Sequence, residues 1–170
     1  MIEQFDELLD LVDENDNVID VKTRSEIYSK DLNFVRAVAA FLINDQGQIW
    51  IPRRSSSKKL FPLALDSSVG GHVSSGETYE QAFERELLEE VNITLKEISY
   101  SFLGYLSPKK DNVSSFIKTY EINFNQTPNY NTNDFIESFW LKPEEVLNKI
   151  KYGEPSKSDL PILIKKFYCS

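Results

Sequence analysis

The sequence predicts an α/β (α+β) fold, in which a mixed sheet packs between a few helices in a single domain spanning residues 1–170. Three observations predict this class. Residues 34–43 are apolar except for Arg36, which is typical of a central strand buried on both faces. Residues 79–91 instead repeat apolar side chains at helical spacing. Shorter strand and helix patterns alternate around these two segments, and 170 residues suffice for one hydrophobic core.

The other elements follow from local patterns. Turn residues separate two apolar runs near the N-terminus, which predicts a hairpin. Proline at a first helical turn indicates two helices near the C-terminus. The predicted elements are strands 8–12 and 18–22, a helix 24–28 capped by Thr23, strands 34–43 and 48–54, a short strand 66–69, a helix 78–91, strands 97–106 and 115–124 around a turn at 109–112, a polar loop 125–133, a strand 135–141, a helix from Pro143 and a helix 159–167.

A glycine-rich segment, residues 70–76, leads into the longest helix. Its three glycines permit backbone angles closed to other residues, which predicts a loop. Either Thr78 or Gly76 is expected to cap the start of the helix, and Asn92, which tolerates the left-handed conformation, to end it. The apolar stripe of this helix consists of Tyr79, Ala82, Phe83, Leu87 and Val91.

The last turn of the same helix carries carboxylates on its inner side. Glu86 and Glu90 lie about 40° apart around the axis, Glu89 lies about 60° beyond Glu86, and Glu90 shares the azimuth of the buried rings. Like charges at this spacing repel each other, and they also conflict with the negative end of the helix dipole. A divalent cation such as Mg²⁺ relieves both conflicts. The alternative is an ordinary solvated acidic face, which the inward azimuth disfavours.

The segment from Gly71 to Ile93 resembles the Nudix box, G-x5-E-x7-R-E-U-x-E-E-x-G-U, where U is a bulky aliphatic residue. The matching residues are Gly71, Glu77, Arg85, Glu86, Leu87, Glu89, Glu90 and Ile93. One residue departs from the pattern, because Asn92 replaces the second glycine. The resemblance implies an α/β/α sandwich with a mixed central sheet, in which the box forms a loop, a helix and a loop.

The resemblance also implies a function. Nudix hydrolases cut phosphoanhydride bonds with Mg²⁺ or Mn²⁺, so Glu86, Glu89, Glu90 and Gly71 become the expected metal site. The expected catalytic residues are Glu86, Glu77 and Arg85. The general base stays open among Glu86, Glu77 and a loop residue, and Arg85 is expected to orient a box carboxylate, with Glu89 as its helical partner. The substrate is expected to be a nucleoside diphosphate-linked compound or a related organic diphosphate.

The flanking sequence resembles the branch of the family that contains isopentenyl-diphosphate isomerase. Residues 68–72 match that branch, but Gly70 stands where the isomerases carry a catalytic cysteine. Because glycine cannot transfer a proton and the carboxylates of the box are complete, a hydrolase is favoured over an isomerase. A catalytically silent nucleotide-binding module is the other alternative, and it would predict losses within the box.

Residues outside the helix are candidates for the remaining roles. Arg53 and Arg54 suit the phosphate oxygens of a substrate, because the guanidinium fork matches them. His72 either contacts metal or phosphate or makes a hydrogen bond that structures the loop. Glu121 or Glu137 is a candidate metal ligand from outside the box. Four aromatic residues are candidates either for stacking on a base or for core packing: Trp50, Phe61, Phe139 and Trp140.

Composition limits the partners. The net charge of −8, from 27 acidic and 19 basic side chains, argues against binding to nucleic-acid polymers or anionic membranes. No apolar run approaches the ~20 residues of a membrane span. The single cysteine, Cys169, and the acidic N-terminus, residues 1–7, lead us to expect a cytoplasmic protein. A small-molecule diphosphate is the expected partner, and the oligomeric state, including a homodimer, stays open.

Overall fold

A computed structural model describes residues 6–32 and 34–170. Residues 1–5, which carry most of the N-terminal segment used to argue against a signal peptide, lie outside the described residues. The elements are β1 (Leu8–Val12), β2 (Val18–Thr23), α1 (Arg24–Ser29), β3 (Arg36–Ile43), β4 (Ile49–Arg54), β5 (Val69–His72), α2 (Tyr79–Val91), a 3₁₀ turn (Leu95–Glu97), β6 (Tyr100–Leu106), α3 (Pro108–Asp111), β7 (Phe116–Asn123), β8 (Phe135–Leu141), α4 (Pro143–Lys151) and α5 (Leu160–Tyr168).

Strand β3 runs through the middle of a six-stranded mixed sheet with the order β6-β7-β3-β4-β8. It pairs with β7 in parallel over its whole length. On its other edge, β5 is antiparallel to Ala37–Ala40, and β4 reaches β3 only at the pair Ile43 and Ile49. The prediction that residues 48–54 pair with the central strand is therefore correct at one position only. Because β5 occupies that edge, β4 pairs mainly with β8.

The two faces of the sheet are covered by different helices, which makes the fold an α/β/α sandwich. Val38, Ala40 and Leu42 of β3 join the core beneath α2. Ala39 and Phe41 join the core beneath α4 and α5. The prediction of a central strand buried on both faces is thus confirmed.

Helix α2 begins and ends where the sequence allows. Thr78 is its N-cap and forms a capping box with Gln81, so the alternative cap, Gly76, is not used. Asn92 ends the helix in the left-handed conformation, with φ 54° and ψ 37°. Asn92 therefore adopts the left-handed conformation for which the Nudix box has a glycine. The apolar stripe of the helix is buried, as predicted.

Two short segments differ from the prediction. Gly70 and Gly71 belong to β5 rather than to a loop, and of the three glycines in the segment only Gly76 has a positive φ, of 83°. Gly71 is required for a different reason, because a Cβ at this position would overlap the side chain of Glu86. Residues 109–112 form the end of the short helix α3 and its left-handed cap, Asn112, instead of a plain turn.

The predicted N-terminal hairpin forms a small separate sheet that packs against the main domain. Its turn residue Asp16 accepts hydrogen bonds from Arg36 at 2.6 Å and from the hydroxyls of Tyr79 and Tyr105 at 2.8 Å. Strand β1 also bridges to Ser74 in the loop before α2. The hairpin therefore braces that loop. Within the part of the chain that the structure describes, no helix is long and apolar enough to cross a membrane.

Candidate active site

Helix α2 presents Glu86 and Glu90 to strand β5. Glu86 is buried, and its carboxylate fills the space where a side chain of Gly71 would stand. Glu90 accepts a hydrogen bond from the backbone N–H of Gly70 at 3.1 Å. Glu89, by contrast, keeps 57% of its side chain exposed. The inward azimuth predicted for Glu86 and Glu90 is therefore found, and Gly71 leaves the space that the Glu86 carboxylate occupies.

The surroundings of Glu86 and Glu90 disfavour the charged forms of both carboxyls. Burial raises the pKa of Glu86 to about 7, and Arg85 opposes this rise while Glu89 and Glu7 add to it. Although part of Glu90 reaches the surface, its carboxylate is desolvated, which raises its pKa well above the usual range. The neighbouring charges of Glu86, Asp66 and Asp134 raise it further. This pair therefore has more negative charge than the nearby protein groups neutralise.

The donor set fits a hard divalent cation. Mg²⁺ is typically held by one or two carboxylates and keeps several of its waters. Glu86 and Glu90 supply such carboxylates beside the partly buried glycine backbone of β5. Among residues 6–32 and 34–170, no three His, Cys, Asp or Glu side chains converge as a complete ligand set. Glu89 is thus not gathered with the other two, and its predicted role as a ligand stays a prediction.

Arg85 connects the loop to the helix. Its guanidinium donates to both carboxylate oxygens of Glu77, at 2.7 and 2.9 Å, and to Glu86 at 2.8 Å. It also donates to the carbonyl of His72 at 3.0 Å, whereas Glu89 lies farther away at 3.4 Å. The main partner of Arg85 is therefore Glu77 rather than the expected Glu89. The expectation that Arg85 orients a box carboxylate agrees with these contacts.

Glu77 is fixed as an acceptor by the same contacts. The backbone N–H of Ser74 donates to it at 2.9 Å. Together with the bonds from Arg85, this lowers the pKa of Glu77. Glu77 and Glu86 are only nine residues apart in sequence, yet their environments shift their pKa values in opposite directions.

Sequence reasoning missed several residues around this site. From the hairpin, Glu7 accepts a hydrogen bond from the hydroxyl of Ser74 at 2.8 Å, and Asp10 accepts one from the hydroxyl of Ser75 at 2.7 Å. Asp66, just before β5, lies close enough to Glu90 to influence its pKa. No motif marks these positions. Only the docking of the hairpin, and the path of the chain into β5, bring them to the site.

The two candidate arginines lie on opposite faces of the sheet. Arg54 faces α2 and donates to Asp66 at 2.8 Å. Arg53 faces α4 and pairs with Glu137 and Glu154. Arg54 is therefore the arginine beside the carboxylate site.

His72 makes the structural contact that was one of its two alternatives. Its Nε2 lies 2.9 Å from the hydroxyl of Tyr28, and the two rings meet edge to face. Burial, together with the charges of Arg24 and Lys157, lowers the pKa of His72 to about 3. His72 is therefore neutral near pH 7.

Both candidate ligands from outside the box lie elsewhere. Glu121 is opposite Phe41 in the sheet and influences the pKa of Tyr168, so it belongs to the face covered by α4 and α5. Glu137 is taken up by its ion pair with Arg53 on that same face. The suggestion that either residue supplies a metal ligand is therefore wrong for this arrangement. The alternation of strand residues between the two faces is the physical reason.

The structure thus places two inward-facing carboxylates, Glu86 and Glu90, on a helix beside a loop, on one face of an α/β/α sandwich. A family model described as the NUDIX domain matches residues 33–160. An uncharacterized Nudix hydrolase from Nostoc is 55% identical over 164 residues, covering 96% of this chain and 97% of that protein. The chain therefore belongs to the Nudix family and is a Nudix pyrophosphohydrolase.

Two further comparisons support the fold and the branch. A crystal structure of a Deinococcus radiodurans protein superposes with a TM-score of 0.91 at 48% identity, covering 95% of this chain and 99% of that chain. An isopentenyl-diphosphate Delta-isomerase from Klebsiella pneumoniae is 34% identical over 89 residues, which is 52% of this chain and 48% of that protein. The mixed sandwich fold and the resemblance to the isomerase branch are thus both confirmed.

The close packing of Gly71 against Glu86 gives a first testable prediction. A Cβ on Gly71 would overlap the Glu86 carboxylate, so Gly71→Ala is expected to displace it. A displacement of about 1 Å at a catalytic group lowers the rate by roughly 100-fold. We expect a loss of that order in kcat/KM, together with weaker activation in a Mg²⁺ titration.

Gly70→Ala is the matched control. Its Cβ would meet the hydroxyl of Ser67 at 3.1 Å and the carbonyl of Val38 at 3.2 Å, and not the carboxylates. This variant should retain most of the activity. Equal activity of the two variants would contradict the role given to Gly71.

Proposed function

We propose that the protein hydrolyses a phosphoanhydride bond in a nucleoside diphosphate-linked compound or a related organic diphosphate, with Mg²⁺ as cofactor and Mn²⁺ as a substitute. The observation that carries this proposal is the pair of desolvated carboxylates, Glu86 and Glu90, set against the glycine backbone of β5. A pyrophosphate group and these carboxylates are all negatively charged, and a divalent cation held by Glu86 and Glu90 would supply the positive charge that offsets them.

The proposed ligands are Glu86, Glu89 and Glu90, with the backbone of Gly71 beside them. A bound divalent cation would neutralise phosphate charge and lower the pKa of an attacking water. The protein residues supply the rest. Arg85 holds the loop carrying Glu77 at a fixed distance from Glu86, because its guanidinium bonds both carboxylates at once.

The contrast between Glu77 and Glu86 narrows the choice of general base. A base is most effective when its pKa lies near the operating pH. Arg85 and Ser74 lower the pKa of Glu77, which makes Glu77 a poor proton acceptor. As a stable carboxylate, it is suited to hold the guanidinium of Arg85 in place. Burial raises the pKa of Glu86 to about 7. We therefore assign Glu77 a positioning role, and we place the proton-accepting role with Glu86 or a loop residue.

Two basic side chains lie near the carboxylate site. Arg54 binds Asp66 at 2.8 Å, and Lys157 approaches the same carboxylate at 3.8 Å. These charges suit a small anionic molecule bearing phosphates, and we propose such a partner in the cytoplasm. His72 contributes to the site through its contact with Tyr28 and through its carbonyl, which Arg85 binds.

The test is a substrate screen with the purified protein. Dinucleotides, nucleotide sugars, and nucleoside di- and triphosphates are incubated with Mg²⁺, with Mn²⁺ and with EDTA, and release of phosphate or pyrophosphate is measured. We expect turnover of at least one compound with either metal and none with EDTA. Tight binding of a ligand without any turnover would instead support the catalytically silent module.

A further inference from the structure

The loop between β4 and β5 contains two residues in a conformation that their side chains disfavour. Phe61 has a φ of 50° and Leu63 a φ of 61°, and neither is glycine. The left-handed region costs a bulky L-residue about 1–2 kcal/mol. Such strain persists only where the surroundings fix the backbone, and it is concentrated at functional sites.

Both arginines at the end of β4 fix this backbone. Arg54 donates to the carbonyl of Leu60 at 3.0 Å and to that of Phe61 at 3.2 Å. Arg53 donates to the carbonyl of Leu63 at 3.1 Å. Two guanidinium groups, each tied to a carboxylate as well, thus hold three neighbouring carbonyls of one short loop.

The strained backbone does not serve core packing. Phe61 and Leu63 each keep 43% of their surface exposed, on either side of Pro62. We call these two side chains the apolar platform. Of the four aromatic residues considered for base stacking, Trp50 is fully buried in the core, so it is excluded. Phe61 is the one whose ring is well exposed to solvent.

The apolar platform is attached to the carboxylate site at two points. Arg54, which holds its backbone, also binds Asp66 at 2.8 Å. Lys58, three residues before Phe61, pairs with Asp134. Asp66 and Asp134 are both near Glu90, because both influence the pKa of that residue. The backbone of the platform is therefore linked through Arg54 and Asp66 to the side of the sheet that carries the carboxylate site.

We propose that Phe61 and Leu63 form the subsite for the nucleobase of a nucleoside diphosphate substrate, with the ring of Phe61 as the stacking surface. This proposal rests on the proposed function, and it names the group that the diphosphate carries. A nucleobase is an aromatic ring with polar edges, and it suits an exposed phenyl ring on a loop whose preceding residues, 55–59, are all polar. Two side chains also offer too little apolar area for a protein partner.

The test compares substrates that differ only in the base. The four ribonucleoside diphosphates are measured against ribose 5-diphosphate, with wild type, Phe61→Ala and Phe61→Trp. Stacking of a base on an aromatic side chain changes affinity by about tenfold or more when the ring is removed. We expect Phe61→Ala to lose at least about tenfold in kcat/KM on the nucleoside diphosphates, mainly through KM, and nothing on ribose 5-diphosphate. Phe61→Trp should retain the preference for a base.

Phe102→Ala is the control, because Phe102 is also exposed, at 54%, but lies on the edge strand β6. It should leave both classes of substrate unaffected. Equal losses on both classes with Phe61→Ala, or no loss on either, would overturn the proposal. The proposal would also be overturned if the wild-type protein had the same kcat/KM on nucleoside diphosphates and on ribose 5-diphosphate.

A second variant separates the subsite from folding. Leu63→Gly removes the strain at φ 61°, so its melting temperature should equal or exceed that of wild type. Its preference for nucleoside diphosphates over ribose 5-diphosphate should nevertheless fall, since half of the platform is gone. A variant that melts higher and keeps the full preference would count against a role for Leu63.

Binding measurements keep the proposal separate from the hydrolase assignment. If no compound is hydrolysed, calorimetric titration of wild type and Phe61→Ala with ADP and ribose 5-diphosphate still reports the subsite. Tighter binding of ADP by wild type, lost in Phe61→Ala, would support the subsite although hydrolysis had failed. The absence of this difference would overturn the subsite, whatever the result for hydrolysis.

Discussion

Glu90→Gln is expected to lower Mg²⁺-dependent activity by at least about 100-fold, since a bound metal contributes several kcal/mol to catalysis. An amide is a weaker ligand for a hard cation than a carboxylate. The amide oxygen can still accept the hydrogen bond from Gly70, so the local structure should persist. Initial rates over a range of Mg²⁺ concentrations measure this effect, and Glu84→Gln, on the exposed side of the same helix, is the control.

The same variant is expected to be more stable than wild type when metal is absent and the pH is high enough to ionise both carboxyls. Under those conditions, removing the charge relieves repulsion from Glu86 and the conflict with the helix dipole, together about 1 kcal/mol. For a domain of this size, this raises the melting temperature by about 2–4 °C. Added Mg²⁺ should stabilise wild type more than the variant, because a ligand stabilises a protein according to its affinity for the folded state.

The stability of the metal-free protein should depend on pH in a direction that the pKa shifts of Glu86 and Glu90 define. The pKa values of Glu86 and Glu90 are raised in the folded state, so folding favours their protonated forms. The stability that these two carboxyls contribute without metal should therefore be fully present below the unfolded carboxyl value of about 4.5, and it should be lost as the pH rises through about 7. Glu90→Gln should weaken this dependence in thermal melts. If the variant instead melts several degrees lower without metal and keeps its activity, then Glu90 is a structural residue.

The sequence was sufficient to predict those parts of the site that lie on one helix. The azimuths of Glu86 and Glu90 follow from the geometry of a regular helix, and the cap at Asn92 follows from the conformational range of asparagine. Both predictions depend only on neighbours in sequence. For the same reason strand β8 and helix α4 begin close to where the proline and the apolar pattern place them.

Other parts of the site depend on contacts between distant segments, which no local pattern reveals. The role of Gly71 was attributed to loop conformation, whereas the structure requires glycine because a carboxylate from α2 occupies the space of its side chain. Glu121 and Glu137 were candidates until strand register placed them on the opposite face. The pairing of Arg85 with Glu77 depends in turn on how the loop folds back over the helix.

Arg85→Lys is expected to reduce both stability and activity, although the charge is conserved. Lysine cannot reproduce the fork that bonds two oxygens of Glu77, one of Glu86 and the carbonyl of His72. The side chain of Arg85 is 28% exposed, so we expect a moderate loss of about 2 kcal/mol in the free energy of unfolding. That corresponds to a melting temperature lower by roughly 4–8 °C.

The activity of Arg85→Lys should fall by about 100-fold, because Glu77 and the loop would no longer be held at a fixed position relative to Glu86. Arg24→Lys serves as the stability control, since the side chain of Arg24 is 42% exposed and its ion pair with Glu7 is 4.0 Å long. Thermal melts and kcat measurements on both variants distinguish a role of Arg85 in positioning Glu77 from a role in stability alone. An Arg85→Lys protein that is less stable yet fully active at a temperature where it remains folded would show that Arg85 supports the fold, and that the position of Glu77 does not limit the reaction.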